Sequence, residues 1–421
     1  MSACARLGPA LGDREFRLWW LTSVAMNVGL QMIDVAIGWQ VYAQHRSTLD
    51  LGLIGLAEFL PMFLLVLPAG HLADHRPRRS VLAASLGVAC AIAGGLAVLS
   101  ARHDGALVPY LLLALGAGTA MAFEGAASVA LAPALVRPEL LRSAMTLRTV
   151  ATRAAAVLGP ALGGGLYAIS APLAYGVAAA VCLGGLVCAL AMRAGRAAAS
   201  ARGDAASSAD VRTVLEGIRF VRDTSILLGA MLLDLLGVLF GGAVALLPVY
   251  ASSILHVGPV GLGVLRAAPA VGALIGAVVI TRRPIGPRVG RRLLYAVAAF
   301  GGCILVFGLS RSVPLSLVAL TASGFADLFN MNVRATISAF ATPDAVRGRV
   351  GAVEMAFVSA SNELGAFESG LAASLVGTVP AVAAGGALTI LLALIWPVTF
   401  PALARADRLE DLAPAGATAR R

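Results

Sequence analysis

Twelve long apolar stretches run along the chain, and ionised residues are spread among them with a period of three. The third (about 80–100), sixth (about 171–192), ninth (about 293–310) and twelfth (about 379–403) contain no Asp, Glu or Arg. The other eight hold Asp34, Glu58, Glu124, Arg148, Arg153, Asp234, Arg266, Asp327, Arg334, Glu354, Glu363 and Glu368. Each stretch has the roughly 20 residues that a helix needs to cross a bilayer. An ionised side chain costs roughly 2.5–3.5 kcal/mol at the centre of such a helix, so it faces protein or a wet cavity. The pattern therefore predicts an all-α membrane protein, with four outer helices facing lipid and eight inner ones around a polar path.

Composition fits a lipid-dissolved bundle, since only 13% of the 421 residues are charged. A formal charge of +10 would suggest nucleic acid in a soluble chain, but its placement points elsewhere. All 32 basic residues are arginine. Apart from Arg46, Arg102 and Arg311, and the four inside spans, every arginine falls in the two tails or in loops 2–3, 4–5, 6–7, 8–9 and 10–11. That bias predicts both termini on the cytoplasmic side of the membrane, with membrane lipid as a partner and no nucleic acid. The first 17 residues lack the apolar core of a cleaved secretory signal. The cysteines form no CxxC or Cys/His cluster, so neither a metal nor another cofactor is expected. Without a lysine there is no Walker A loop for an ATP-driven pump. Trp19, Trp20, Trp39, Tyr42, Tyr110, Tyr167, Tyr250 and Tyr295 lie near span ends, where an interfacial aromatic belt is expected.

Two pseudo-symmetric six-helix halves are expected at 1–192 and 223–403, followed by a cytoplasmic tail at 404–421. Between the halves, 193–222 begins with the Ala/Ser/Gly-rich stretch Arg193–Asp210. It ends in an amphipathic helix, with Val211, Val214, Leu215, Ile218 and Val221 on one face and arginines elsewhere, suited to the inner leaflet. Loop 4–5 (Val136–Met145) and loop 10–11 (Ala341–Val350) both place Pro-acid-x-x-Arg, at Pro138/Arg142 and Pro343/Arg347. Spans 2 and 8 open with related strings, Gly52–Pro61 and Gly261–Pro269. Parallel repeats of this kind hold a substrate site near the membrane midplane between the halves.

The loop after span 2 reads GHLADHRPRRSVL (Gly70–Leu82). Gly70 allows close helix approach, and Asp74 can cap the start of span 3. This string resembles the loop 2–3 motif of the major facilitator superfamily at Gly70, Leu72, Asp74, Arg78 and Arg79, with His75 and Pro77 as departures. The resemblance implies a gating latch in which Asp74, Arg78 and Arg79 act. Span 5 carries Gly159-Pro160-x-x-Gly163-Gly164, similar to the antiporter motif of exporters in that superfamily, with Thr146 and Ala155 where further glycines belong. FRLWW (Phe16–Trp20), Phe59–Gly70, Pro343–Val350 and Ser359–Gly370 are similar to the branch of siderophore exporters and secretion-type effluxers. That branch implies export of a small amphipathic molecule such as a siderophore, drug or metabolite.

The superfamily fold implies that spans 1, 4, 7 and 10 line a central cavity, and each carries one acid: Asp34, Glu124, Asp234 and Asp327. Within the spans, eight acids face four arginines, so some carboxylates must hold protons or share cations. Asp34, Asp234, Asp327 and Glu363 are the proton-coupling candidates. Counting 1.5 Å per residue from the centre of loop 4–5 puts Glu124 and Arg153 at equal depth, a candidate buried ion pair. The same count makes Asp327 and Glu363 neighbours, while Glu354, Ser361 and Glu368 share a stripe expected to pack on span 2. Asn27, Gln31, Glu124, Asn330, Asn332 and Arg334 complete the candidate substrate cavity. The function expected is proton-coupled secondary transport of a small-molecule substrate, export being favoured over import or facilitation. A membrane-embedded sensor or enzyme is the remoter alternative, and an outer-membrane channel remains open as a further partner.

Overall fold

A computed structural model describes residues 9–102, 105–131, 135–136, 138–193, 211–282, 288–343 and 346–406. Much of the expected linker and tail, together with Asp344, lies outside these. The twelve spans are all helical, and no strand occurs among the described residues. Spans 1 to 6 are Arg14–His45, Thr48–His75, Arg78–Ala101, Leu107–Leu131, Leu141–Ile169 and Ala171–Ala191. Span 7 begins as Ser225–Phe240, and spans 8 to 12 are Gly258–Arg282, Val289–Leu309, Val313–Ala341, Arg347–Val376 and Thr378–Thr399. Ten of these are long and apolar enough to cross a membrane. Spans 5 and 11 are the exceptions because they carry the most charge, from Arg142, Arg148 and Arg153 in one to Arg347, Arg349, Glu354, Glu363 and Glu368 in the other.

The chain forms two compact units. The first comprises 1–46, 57–209 and 257–267, and the second 47–56, 210–256 and 268–421. They differ from contiguous sequence halves because the opening turns of span 2 belong to the second unit and those of span 8 to the first. Small residues explain both exchanges. Gly370 of span 11 approaches Gly52 so closely that a Cβ there would sit 2.8 Å from the Gly52 Cα. A Cβ on Gly164 of span 5 would sit 3.0 Å from the Gly263 Cα of span 8.

Inside the first unit, span 1 packs on spans 5 and 6, and span 3 on spans 4 and 6. The second unit repeats this six spans later, with 7 on 11 and 12, and 9 on 10 and 12. Lipid gives helices no hydrophobic reason to associate, so close packing of small residues takes its place. Gly29 meets Cys182 between spans 1 and 6, and Gly301 meets Gly386 and Thr389 between spans 9 and 12.

Span 7 is broken. Its helix stops at Phe240, turns at Gly241 and Gly242, and resumes through Ala243–Leu246, Leu247–Val249 and a wide turn at Tyr250–Ile254. Freed backbone groups at membrane depth need internal partners. The Ser369 hydroxyl of span 11 donates to the Gly242 carbonyl at 3.0 Å, and the Gly237 carbonyl, which accepts from Gly241 N–H at 3.0 Å, gains a second donor in Thr389 Oγ1 of span 12 at 3.2 Å.

Several local expectations give way. Pro77 occupies the cap position of span 3 and no side chain caps that helix. Asp74 instead lies in the last turn of span 2, because that helix runs on to His75; its side chain is outside the described set. A Cβ on Gly70 would meet nothing within 4 Å, so no close approach depends on it. Trp19, Tyr110 and Tyr250 are fully buried rather than belt-like, and the two tyrosines explain why: Gln40 Nε2 donates to the Tyr110 hydroxyl at 2.8 Å, and Tyr250 donates to the Gly308 carbonyl at 2.7 Å. The amphipathic helix Val211–Asp223 belongs to the second unit and packs on span 11. Glu216 pairs with Arg349 at 2.7 Å, Gly217 lies against the Arg349 backbone, and Val221 is buried while Leu215 and Ile218 stay exposed.

The break in span 7 gives a measurable consequence. Ser369→Ala removes the bond to the Gly242 carbonyl and should lower unfolding free energy by roughly 0.5–1 kcal/mol, the usual worth of such a bond in a membrane protein. Thermal unfolding in detergent, with Ser374→Ala as the exposed control, checks it; equal loss in both would refute the assignment.

Candidate functional site

Each unit holds a polar centre of its own. In the second unit, Asp327, Asn330 and Arg334 fall on one face of span 10, at spacings of three and four residues. Asn330 Nδ2 donates to Asp234 Oδ1 of span 7 at 2.6 Å. Arg334 lies between two carboxylates, with one nitrogen 3.6 Å from Asp234 Oδ2 and another 2.9 Å from Glu354 Oε1 of span 11. The Arg334 side chain is only 4% exposed and that of Asp234 8%. Asp327, Asp234 and Asn330 line a cavity of about 10 Å³ together with Leu233, Gly237, Val238, Val297 and Phe300. Glu354, expected to pack on span 2, thus pairs with span 10, where the long Arg334 side chain reaches it. Glu363, expected beside Asp327, is not among the walls of that cavity. Asn332 turns back on its own helix, donating to the Leu328 carbonyl at 2.9 Å.

The first unit has a larger opening. Trp19, Trp20, Ser23 and Asn27 of span 1, Glu124 and Ser128 of span 4, and Arg148, Ala151 and Thr152 of span 5 line a cavity of about 150 Å³. Ser128 hydrogen-bonds Glu124, and Arg148 acts on it through charge. No ion pair joins Glu124 to Arg153, and Arg153 is not among the walls. The depth count erred because the loop is not centred on Glu139. Glu124 lies seven residues before the end of span 4 at Leu131, and Arg148 lies seven after the start of span 5 at Leu141. Asn27 Nδ2 donates to the Ser23 carbonyl at 2.8 Å.

Deeper in the first unit, Arg266 of span 8 meets Asp34 Oδ2 of span 1 at 3.4 Å. The motif of span 5 surrounds this level. A Cβ on Gly163 would come within 2.8 Å of the Met32 carbonyl oxygen, Gly159 lies against Gln31, and the Pro160 carbonyl crowds Gly263. At the loop 2–3 end, Arg79 donates to the Leu190 carbonyl at 2.6 Å, where the last carbonyls of span 6 have no helical partner.

Arg148, Arg266 and Glu354 are the partners that sequence reasoning left unassigned, although each is a charge inside a span and so requires one. Trp19, Trp20, Ser23, Ser128 and Thr152 carried no such signal.

The sequence profile of a family described as "Transmembrane secretion effector" matches residues 6–415. The chain is 28% identical over 380 residues to the enterobactin exporter EntS of Citrobacter koseri, spanning 89% of both proteins. It is 27% identical over 379 residues to the Escherichia coli O1:K1 protein of the same name, again across 89% of each. Among solved structures, an inward-facing bacterial homologue of the lysosomal transporter Spinster superposes with a TM-score of 0.68 at 16% identity, covering 92% of this chain and 96% of that one. A bacterial homologue of the iron transporter ferroportin, also inward-facing, gives 0.66 at 18% identity, covering 93% and 99%. These two likenesses concern the fold alone.

The cluster around Arg334 predicts a charge-balance effect. Arg334→Leu leaves Asp234 and Glu354 buried without their cation and should cost about 3–5 kcal/mol. Adding Asp234→Asn and Glu354→Gln should restore most of the folded yield, read by size-exclusion chromatography and melting. A triple variant no better than Arg334→Leu would contradict the pairing.

Proposed function

The chain belongs to the transmembrane secretion effector family of major facilitator transporters, and from that premise we propose that it exports a small amphipathic molecule in exchange for protons. It is a multi-pass membrane transporter of small molecules, not an enzyme. In this reading it sits in the bacterial inner membrane with both termini in the cytoplasm. The amphipathic helix Val211–Asp223 rests its exposed Leu215 and Ile218 on lipid, and the cargo passes to the periplasm, where an outer-membrane channel would complete its route.

The observation that carries the coupling is one buried arginine serving several acids. Arg334 touches Asp234 and Glu354, and Asp327 shares a cavity with Asp234. A guanidinium between two carboxylates, with a third lining the same cavity, gathers groups that can take up and give off protons inside the membrane, which supports the coupling reading. A change of access from one membrane face to the other would then load and release them. Asp34, bound to Arg266, and Glu363 are the further coupling candidates. Gly159, Pro160, Gly163 and Gly164 set the close packing of span 5 that supports the exporter direction, as does the similarity to proteins named as enterobactin exporters. Asp74, Arg78 and Arg79 form the gating loop beside Gly70, with Arg79 already tied to the end of span 6.

Inverted vesicles from an efflux-deficient strain, offered enterobactin and a panel of amphipathic dyes, test this directly. Acidifying the lumen should drive accumulation of at least one of them, and an uncoupler should abolish it. Asp327→Asn at normal protein level should cut the proton-driven flux at least tenfold, and Asp74→Asn should slow it. Accumulation indifferent to the uncoupler would overturn proton coupling.

A further inference from the structure

The cavity in the first unit differs from the cluster in the second by having room beside its polar groups. Trp19 and Ser23 are buried wall residues, yet Trp19 Nε1 and Ser23 Oγ have no hydrogen-bond partner among the described residues. No hydrogen bond or ion pair within 4 Å holds the Arg148 guanidinium among the described residues, although Glu124 acts on it from the same cavity. Trp20 differs, since its indole N–H is spent on the Leu147 carbonyl at 3.1 Å, which leaves an apolar ring as wall.

Chemistry narrows what could satisfy this set. An indole N–H only donates, and a guanidinium presents five donors and no acceptor, so both ask for an acceptor, preferably an anion. The guanidinium fork matches a carboxylate with two parallel hydrogen bonds. Glu124 accepts, as does the Asn27 carbonyl oxygen, so these two groups suit a ligand hydroxyl. The volume of about 150 Å³ equals that of an engineered protein cavity that admits benzene, about one aromatic ring. Indole walls favour a flat ring by stacking or edge contact.

We infer that the Trp19–Glu124–Arg148 cavity binds a single-ring organic anion, a hydroxylated aromatic carboxylate or a cargo moiety of that chemistry. Its carboxylate meets Arg148 and the Trp19 N–H, its hydroxyl meets Glu124, and its ring lies against the two indoles. This deepens the transport reading and rests on it, because it names what the first unit would recognise in the cargo.

Binding can be read without transport. The full-length protein in nanodiscs is titrated with 4-hydroxybenzoate, benzoate and benzylamine while tryptophan fluorescence is followed. Both anions should quench saturably, 4-hydroxybenzoate more tightly, and benzylamine should not compete. Arg148→Gln should weaken both anions at least tenfold. Trp19→Phe, which keeps a ring and removes the donor, should weaken both several-fold and guards against a misfolded arginine variant. Glu124→Gln should erase the preference for the hydroxylated ring while benzoate still binds. Absence of saturable quenching, benzylamine binding as tightly as benzoate, or folded Arg148→Gln and Trp19→Phe proteins that bind like the parent would each overturn the inference. Saturable binding in a protein that moves nothing across vesicles would sink the transport reading and leave the site standing. Proton-driven export without binding of either anion would do the reverse.

Discussion

A bilayer core supplies no water to an ion or to a broken backbone hydrogen bond, and that constraint positions the inner helices of this protein. Arg334 is tolerable only because Asp234 and Glu354 flank it, so spans 7, 10 and 11 must come together at one level. Asp34 and Arg266 impose the same condition on spans 1 and 8. The gap in span 7 obeys the rule in its uncharged form, the Gly242 carbonyl being met by Ser369. Polar groups thus choose which helices are neighbours, and small residues set how near they come. The packing of Gly29 on Cys182 and of Gly301 on Gly386 holds pairs that carry no charge at their contact.

The fold was legible because lipid makes sequence unusually explicit. Helix length is set by membrane thickness, so the charge-free spans appear close to where their composition ends, at Arg78–Ala101, Ala171–Ala191 and Val289–Leu309. The repeat was legible in two loops, and the structure extends it to a packing scheme that recurs six spans later. Partner identity was harder to read. It depends on where each helix actually starts, and an error of a few residues rotates a side chain to another face. Glu124 was assigned to Arg153 on a loop centre at Glu139, whereas the helix ends at Leu131 and Leu141 bring Arg148 to its level. Glu354 was assigned away from the path by its helical stripe, but the length of an arginine side chain lets span 10 reach it. The buried aromatics misled for a different reason. A tyrosine or tryptophan near a span end reads the same whether it meets headgroups or donates into the bundle, and only the position of its acceptor distinguishes the two.

The two halves have kept the duplication's packing while exchanging its charges. In the first unit the carboxylate sits on span 4, as Glu124, and the arginine on span 5, as Arg148. In the second the arginine sits on span 10, as Arg334, and the carboxylate on span 11, as Glu354. The repeat therefore preserves a need for opposite charges on two consecutive helices but not their order, which is what an electrostatic requirement alone would select.

Size separates what the two centres can do. A space of about 10 Å³ beside Asp234 and Asp327 holds no more than about one water-sized species, so in the proposed exchange it suits protons and not cargo. The space of about 150 Å³ beside Glu124 and Arg148 has the volume of a ring, and in the proposed reading the donors that have no partner among the described residues would hold such a guest. A transporter that exchanges two unlike species gains from keeping their sites apart, since each can then be tuned without spoiling the other. Here the division follows from volume and donor count. The centre whose arginine touches two carboxylates has no room, and the centre with room has an arginine that no ion pair within 4 Å holds among the described residues.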